Sequence, residues 1–211
     1  MEPFLQKKII CPDHCKCAHL KFKCTSLNNV TKEVRALDLS SNSVEIQYLK
    51  NFTFLVYLNL SSSLGATTIF QHFLGNIESA HLQNLDISYN KITHITRANF
   101  RNISNISNLL YLNMSNNKLN VLELGFLSKL PKLRLLILNE NEIKTIGVMD
   151  KDEVQPINTN LALLDLSGNR LQSISRRALY FLQGLKILIL KDNYISNTDY
   201  YFSASMKKMT I

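Results

Sequence analysis

Residues 161–171 read LALLDLSGNRL, with leucine at Leu161, Leu164, Leu166 and Leu171 and asparagine at Asn169. The same spacing, Leu-x-x-Leu-x-Leu-x-x-Asn-x-Leu with Ile, Val or Met in some leucine places, recurs along the chain. The matches begin at residues 34, 55, 82, 109, 133, 161 and 185, which are 21 to 28 residues apart. A period of this length indicates stacked, repeated structural units. Below, position 1 of a repeat is the first residue of its match.

Each repeat is expected to form a short strand around position 4. Positions 4 and 6 alternate with outward positions at period two, which is typical of a strand with one buried face and disfavours a helix. The recurring asparagine at position 9 can hydrogen-bond backbone groups of its own turn and of the adjacent repeat. We therefore predict a ladder of Asn42, Asn90, Asn117, Asn141, Asn169 and Asn193, with a weak or distorted rung at Ser63, which replaces the asparagine in the repeat that begins at 55.

All four cysteines lie ahead of the first repeat, at Cys11, Cys15, Cys17 and Cys24. Zinc and a pair of disulfides are the competing interpretations. Zinc sites usually carry two cysteine pairs separated by a finger-length loop, and a Cys-x-Cys pair fits one tetrahedral ion poorly, so disulfides are favoured. Spacing alone leaves three disulfide pairings open. Disulfides require an oxidising compartment, so this segment points to a location outside the cell.

The segment 11–24, CPDHCKCAHLKFKC, resembles the N-terminal cap of extracellular leucine-rich-repeat proteins. This resemblance implies the bonds Cys11–Cys17 and Cys15–Cys24. A cap of this kind would cover the exposed end of the first repeat, because a stack of repeats otherwise leaves leucine side chains open to water.

The cap and strands such as 37–42 and 164–169 resemble an extracellular leucine-rich-repeat receptor. The uneven repeat lengths and a convex insert look most like a Toll-like receptor ectodomain. The resemblance implies an α/β fold: a leucine-rich-repeat solenoid, shaped as a curved horseshoe. A parallel β-sheet would line its concave face, and its convex segments would be irregular or short helices.

The predicted organisation has four parts. Residues 1–10 are an N-terminal extension, 11–33 the cysteine-rich cap, 34–205 seven leucine-rich repeats, and 206–211 a truncated eighth repeat. We expect a piece of a longer protein, since the last residues read as the start of a further strand. Residues 1–10 lack the apolar stretch of a signal peptide, and no apolar run is long enough to span a membrane.

Positions 3 and 5 of each repeat are expected to face outward on the concave surface. In the first four repeats these positions are mostly polar and include two tyrosines, whereas the last three repeats carry five aliphatic residues. A contiguous exposed apolar patch marks a contact site, unless neighbouring chain covers it. The predicted partner-binding residues are Leu135, Ile137, Leu163, Asp165, Ile187, Ile189, Tyr57 and Tyr111.

Six Asn-x-Ser/Thr sequons support secretion and mark candidate glycosylation sites. They lie at Asn29, Asn51, Asn59, Asn102, Asn105 and Asn113. We therefore interpret the chain as an extracellular ligand-recognition module for a protein or other macromolecule, resembling a Toll-like receptor ectodomain acting in innate immune recognition. The alternative is a structural or cell-adhesion leucine-rich-repeat protein of the cell surface or matrix. A homodimer or heterodimer stays open.

No catalytic or cofactor-binding constellation is recognised, and the chain is not interpreted as an enzyme. The acidic residues Asp150, Asp152 and Glu153 lack the spacing and glycine of a calcium loop, so no metal is assigned. The net charge is +8, and the basic cap could attract nucleic acid or glycosaminoglycan. Aromatic residues are not interleaved with the basic ones, however, so a solvated surface is preferred.

Overall fold

The computed structural model of the chain describes residues 15–18, 21–24, 34–41, 49–50, 52–64, 74–100, 106–147, 160–182 and 184–196. Their strands are β1 (Cys15–Ala18), β2 (Lys21–Cys24), β3 (Ala36–Asp38), β4 (Tyr57–Asn59), β5 (Asn84–Asp86), β6 (Tyr111–Asn113), β7 (Val121–Glu123), β8 (Leu135–Ile137), β9 (Thr145–Gly147), β10 (Leu163–Asp165) and β11 (Ile187–Ile189).

Seven of these strands, β3 to β6, β8, β10 and β11, cover positions 3 to 5 of the seven repeats. Neighbouring strands pair in parallel, and equivalent positions are always Cα partners, as with Leu112 and Leu136. The sheet order is β1-β2-β3-β4-β5-β6-β8-β10-β11. The leucine-rich-repeat solenoid predicted from the sequence period is therefore confirmed.

The position-4 leucine of every strand lies in the core. Its seven occurrences are at most 1% exposed: Leu37, Leu58, Leu85, Leu112, Leu136, Leu164 and Leu188. Period-two alternation turns this residue inward while positions 3 and 5 turn outward, and stacking the repeats joins the leucines into one continuous column.

The convex side carries a second, smaller sheet that the sequence period did not predict. Strands β7 and β9 pair in parallel, and Ile95 forms an isolated bridge to Leu122. Short 3₁₀ helices at Arg97–Phe100 and Leu124–Lys129 and the helix α1 (Arg176–Phe181) complete this side, as expected for irregular or short helical segments.

A left-handed turn follows each of the seven repeat strands. The position-8 residues Ser41, Ser62, Tyr89, Asn116, Glu140, Gly168 and Asp192 all have φ between 53° and 61°. Six of their N–H groups donate to the position-7 carbonyl of the next repeat, as Tyr89 does to Ser115 at 3.0 Å. These bonds hold the turn in a conformation that non-glycine residues rarely adopt.

The cap strands continue the concave sheet. β1 and β2 pair antiparallel, with Cys15 and Cys24 as Cα partners, and β2 pairs in parallel with β3 through Lys21 and Asp38. Cys11, the extension 1–10 and the truncated repeat 206–211 lie outside the described residues. So do residues 65–73 and 148–159.

Candidate binding surface

Positions 3 and 5 form two outward rows across the concave sheet. The position-3 row runs Ala36, Tyr57, Asn84, Tyr111, Leu135, Leu163, Ile187, and the position-5 row runs Asp38, Asn59, Asp86, Asn113, Ile137, Asp165, Ile189. Each row advances by about 4.8 Å from strand to strand. The two rows bring together all eight of the partner-binding residues predicted from sequence.

The aliphatic patch consists of Leu135, Ile137, Leu163, Ile187 and Ile189 on β8, β10 and β11. Leu135 is 38% exposed and Ile187 is 39% exposed, and the other three are half-buried. No described residue covers the patch fully, so apolar surface on three adjacent strands stays in contact with water. Covering such side chains would release that surface from water, at about 1.5–3 kcal/mol for each one fully buried.

Position-5 asparagine and aspartate cap the turn that follows each polar strand. The Oδ1 atoms of Asp38, Asn59, Asp86, Asn113 and Asp165 accept the N–H of the residue two places on, at 2.9 to 3.0 Å. The acceptor and donor positions form the pattern Asp/Asn-x-Ser in all five repeats. This pattern could have revealed the cap from sequence, and it was missed.

Two of the sequons coincide with this pattern. Asn59 and Asn113 are each followed by serine at the second place, and the backbone N–H of that serine donates to the asparagine Oδ1. Asn113 also donates from Nδ2, the glycan attachment atom, to Oδ2 of Asp86 at 3.0 Å. The sequons at Asn29, Asn51, Asn102 and Asn105 lie outside the described residues.

Tyr57 and Tyr111 flank Asn84 in the polar half of the surface. Partial burial raises the pKa of the Tyr57 phenol above its ordinary value of 10.0, and the nearby Asp38 and Asp86 carboxylates raise it further. The pKa of the Tyr111 phenol is also raised, chiefly by partial burial and further by the nearby Asp86 and Tyr57 side chains. Both hydroxyls therefore stay protonated at neutral pH and can donate as well as accept.

Asp165 differs from Asp86 in one respect. In both residues Oδ1 accepts the N–H and the hydroxyl of the serine two places on, Ser167 at 2.9 and 2.7 Å and Ser88 at 2.9 and 2.6 Å. Oδ2 of Asp86 is taken by Asn113, whereas Oδ2 of Asp165 has no partner among the described residues.

The position-9 asparagines link adjacent repeats behind these turns. Asn141 donates from Nδ2 to the carbonyls of Leu138 and of Met114 in the preceding repeat, both at 3.0 Å, and its Oδ1 accepts the N–H of Leu119 at 3.1 Å. Asn117, Asn169 and Asn193 make the equivalent bonds. Asn90 makes the same two donations, but its Oδ1 accepts the N–H groups of Ser63 and Leu64 at 3.1 and 2.8 Å. Asn42 lies outside the described residues.

Ser63 replaces the amide more fully than its size suggests. Its hydroxyl donates to the carbonyls of Leu39 in the preceding repeat, at 2.5 Å, and of Ser61, at 3.0 Å. The inter-repeat contact to position 6 is therefore kept. A hydroxyl has a single hydrogen, so these two carbonyls share it, whereas an asparagine amide supplies one hydrogen to each.

The described residues contain no group of three or more His, Cys, Asp or Glu side chains arranged to hold a metal ion. Among the same residues, no helix has the length and apolar character needed to cross a bilayer.

Comparison with known proteins agrees with this geometry. The family model described as Leucine rich repeat matches residues 80–143 and 159–209, more than half of the chain. The chain belongs to the leucine-rich-repeat family. Proteins of this family serve as binding modules, which agrees with the exposed rows on the concave sheet.

Two relatives share part of this leucine-rich-repeat chain. The human protein named leucine-rich repeats and immunoglobulin-like domains protein 3 is 35% identical over 92 residues, which are 44% of this chain and 8% of that protein. Mouse Nephrocan is 31% identical over 121 residues, which are 57% of this chain and 22% of that protein. The matched region is thus a small part of both relatives.

Solved structures share the same solenoid. An internalin from Listeria monocytogenes superimposes with a TM-score of 0.62 at 27% identity, covering 85% of this chain and 47% of that one. TLR13, in a complex with the RNA ssRNA13, superimposes with a TM-score of 0.68 at 21% identity, covering 87% and 26% respectively. At 21% identity the second comparison shows the fold alone.

Proposed function

We propose that this chain is the ligand-recognition part of an extracellular or cell-surface protein and that it binds a protein partner through the aliphatic patch. The observation that carries the proposal is the change of chemistry along the concave rows. Positions 3 and 5 are polar or aromatic on most of β3 to β6, then aliphatic at five of six places on β8, β10 and β11. Exposed apolar surface concentrated on adjacent strands is characteristic of a contact site.

Charge favours a protein over a nucleic acid. The outward positions of the seven repeat strands hold three aspartates, Asp38, Asp86 and Asp165, and no lysine or arginine. Nucleic-acid binding relies on cations that neutralise phosphates, and carboxylates repel them. On the cap strands that continue the sheet, β1 and β2 carry Lys16, Lys21 and Lys23, and Lys21 is in register with Asp38.

An extracellular location is supported by the cap. Cα partners in an antiparallel pair are about 4.5–5.5 Å apart, within the range that a disulfide spans. The register of Cys15 with Cys24 therefore suits the bond that the cap resemblance implies, with Cys11–Cys17 as its companion. Immunoglobulin-like domains, which the name of the human relative includes, are common on cell surfaces.

Within this class, the finer proposal is a receptor of the Toll-like type acting in innate immune recognition, supported by uneven repeat lengths, the cysteine cap and the shared solenoid. The alternative is a structural or cell-adhesion protein. Both roles use the sheet for binding and require no catalytic group.

A screen of displayed secreted and cell-surface proteins would supply a partner with which to test the patch. Ile137→Asp and Ile189→Asp should each weaken its binding at least about tenfold, because each buries a carboxylate against apolar surface. Asn84→Asp is the matched control, since it adds the same charge on the same face outside the patch. Unchanged affinity in both isoleucine variants, with circular dichroism matching the parent, would exclude the patch as the contact site.

A further inference from the structure

One charged residue, Asp165, lies among the side chains of the aliphatic patch. Its Cα partners on the two neighbouring strands are Ile137 and Ile189, and Leu163 lies beside it on β10. A carboxylate among aliphatic side chains would disfavour a purely apolar partner, because covering an unpaired charge costs far more than the surrounding burial contributes.

The carboxylate is held in a fixed orientation. Two hydrogen bonds from Ser167, at 2.9 and 2.7 Å, fix Oδ1 against the turn. Oδ2 has no partner in the described part of the chain, and it is not among the buried unsatisfied atoms, so water reaches it. The ion pairs of Arg170 with Glu142 and of Lys191 with Asp192 do not involve Asp165.

We infer that the protein partner presents a lysine or arginine side chain surrounded by apolar residues, and that this cation pairs with Oδ2 of Asp165 inside the aliphatic patch. The inference rests on the proposed function and specifies the chemistry of the partner. A preoriented carboxylate loses little side-chain entropy on pairing, and the surrounding aliphatic contacts exclude water from the pair, as in the centre of a protein interface. The pairing also selects against partners that lack the cation.

The fold supplies a matched pair of variants. Asp→Asn removes the charge at position 5 but keeps the Oδ1 acceptor, and Asn59 and Asn113 already make the same turn cap. Asp165→Asn should therefore preserve folding while removing the charge from the patch. Asp86→Asn makes the same change on β5, where Oδ2 is already occupied by Asn113.

The probe is a random peptide library displayed on phage and selected against the whole chain. Enriched peptides should carry a lysine or arginine with aliphatic neighbours. Binding of the strongest peptide should fall about tenfold on Asp165→Asn, and by the same factor when citrulline or norleucine replaces its cation, but less than about twofold on Asp86→Asn. The loss on Asp165→Asn should shrink as salt is added.

The outcomes separate the two proposals. One outcome is that enriched peptides bind Ile137→Ser and Ile189→Ser more weakly but bind Asp165→Asn as well as the parent. This result would overturn the cation pairing and leave the patch as the contact site. Peptides that bind both serine variants undiminished, or a library that yields no binder, would contradict the proposed function itself. Equal losses on Asp165→Asn and Asp86→Asn would indicate general electrostatic attraction and overturn the specific pairing.

Discussion

Asn113 donates a hydrogen bond of 3.0 Å from Nδ2 to Oδ2 of Asp86, across the neighbouring strands β6 and β5. Together with the two bonds from Ser88, it occupies both oxygens of this carboxylate. Asp86 therefore has a fixed position two residues from Asn84, which lies between Tyr57 and Tyr111, and its charge raises the pKa of both phenols. The polar half of the surface is a network held internally, whereas the charge at Asp165 is left for a partner.

Asp86→Asn should lower the pKa of Tyr57 and of Tyr111, since it removes a negative charge that disfavours both phenolates. In the parent, the contribution of these residues to stability is constant below pH 10.0, the ordinary tyrosine pKa. This stabilising contribution is lost as the pH rises above 10.0 and through the higher pKa of the folded state, because the unfolded chain releases its tyrosine protons at lower pH than the folded chain does. Ultraviolet titration of tyrosinate, with Tyr57→Phe and Tyr111→Phe to assign the signals, measures the shift. Identical titrations of the parent and Asp86→Asn would refute it.

Asn141→Ala should lower the free energy of unfolding by about 2–4 kcal/mol, because it leaves buried backbone groups of two repeats without partners. Asn139→Ala is the matched control, two residues away in the same turn. Its side chain forms no hydrogen bond in the described residues, so the expected change stays within about 0.5 kcal/mol. Asn141→Ser should fall between these values, as Ser63 keeps part of the contact. Urea unfolding measures all three, and equal stabilities of the two alanine variants would argue against the ladder.

Gly168→Ala should destabilise the protein by about 1 kcal/mol, because φ at this position is 61° and a Cβ would meet the Glu140 carboxylate. Gly75→Ala is the control, since a Cβ there has no atom within 4 Å and no left-handed backbone to oppose it. It should be neutral or slightly stabilising. Thermal unfolding compares the two variants. A neutral Gly168→Ala would mean that the turn relaxes at little cost.

Mass spectrometry of the secreted protein without reduction should find no free thiol and should identify a Cys15–Cys24 linked peptide. Each bond is expected to contribute about 2–3 kcal/mol, so a reductant should lower the melting temperature. Cys15→Ser should lower it by a similar amount and leave the repeat strands intact by circular dichroism. Four free thiols with bound zinc would instead restore the zinc interpretation.

The repeat period predicted the strands well because the leucines that must be buried determine which residues of each strand face inward. Leu136 must point inward, so Leu135 and Ile137 must point outward, and the parallel register follows from stacking equal units. The outward rows of the binding surface could therefore be assigned residue by residue from sequence.

The turns were harder to predict because neighbouring repeats determine them. Tyr89 and Glu140 adopt left-handed φ without any glycine or asparagine to signal it, since bonds to the next repeat compensate the strain. The convex pairing of β7 with β9 depends likewise on how two repeats stack. The difference between Asp86 and Asp165 depends on whether an asparagine or an isoleucine lies on the next strand, which becomes visible once the register is known.

The asparagine ladder has a direction. Asn117, Asn141, Asn169 and Asn193 each accept an N–H from the repeat before them and donate to a carbonyl of that same repeat. The turn of one repeat is completed by the asparagine of the following one. During synthesis from the N-terminus, we therefore expect the buried backbone of each repeat to be fully hydrogen-bonded only after its successor has been made, so that folding follows synthesis by about one repeat.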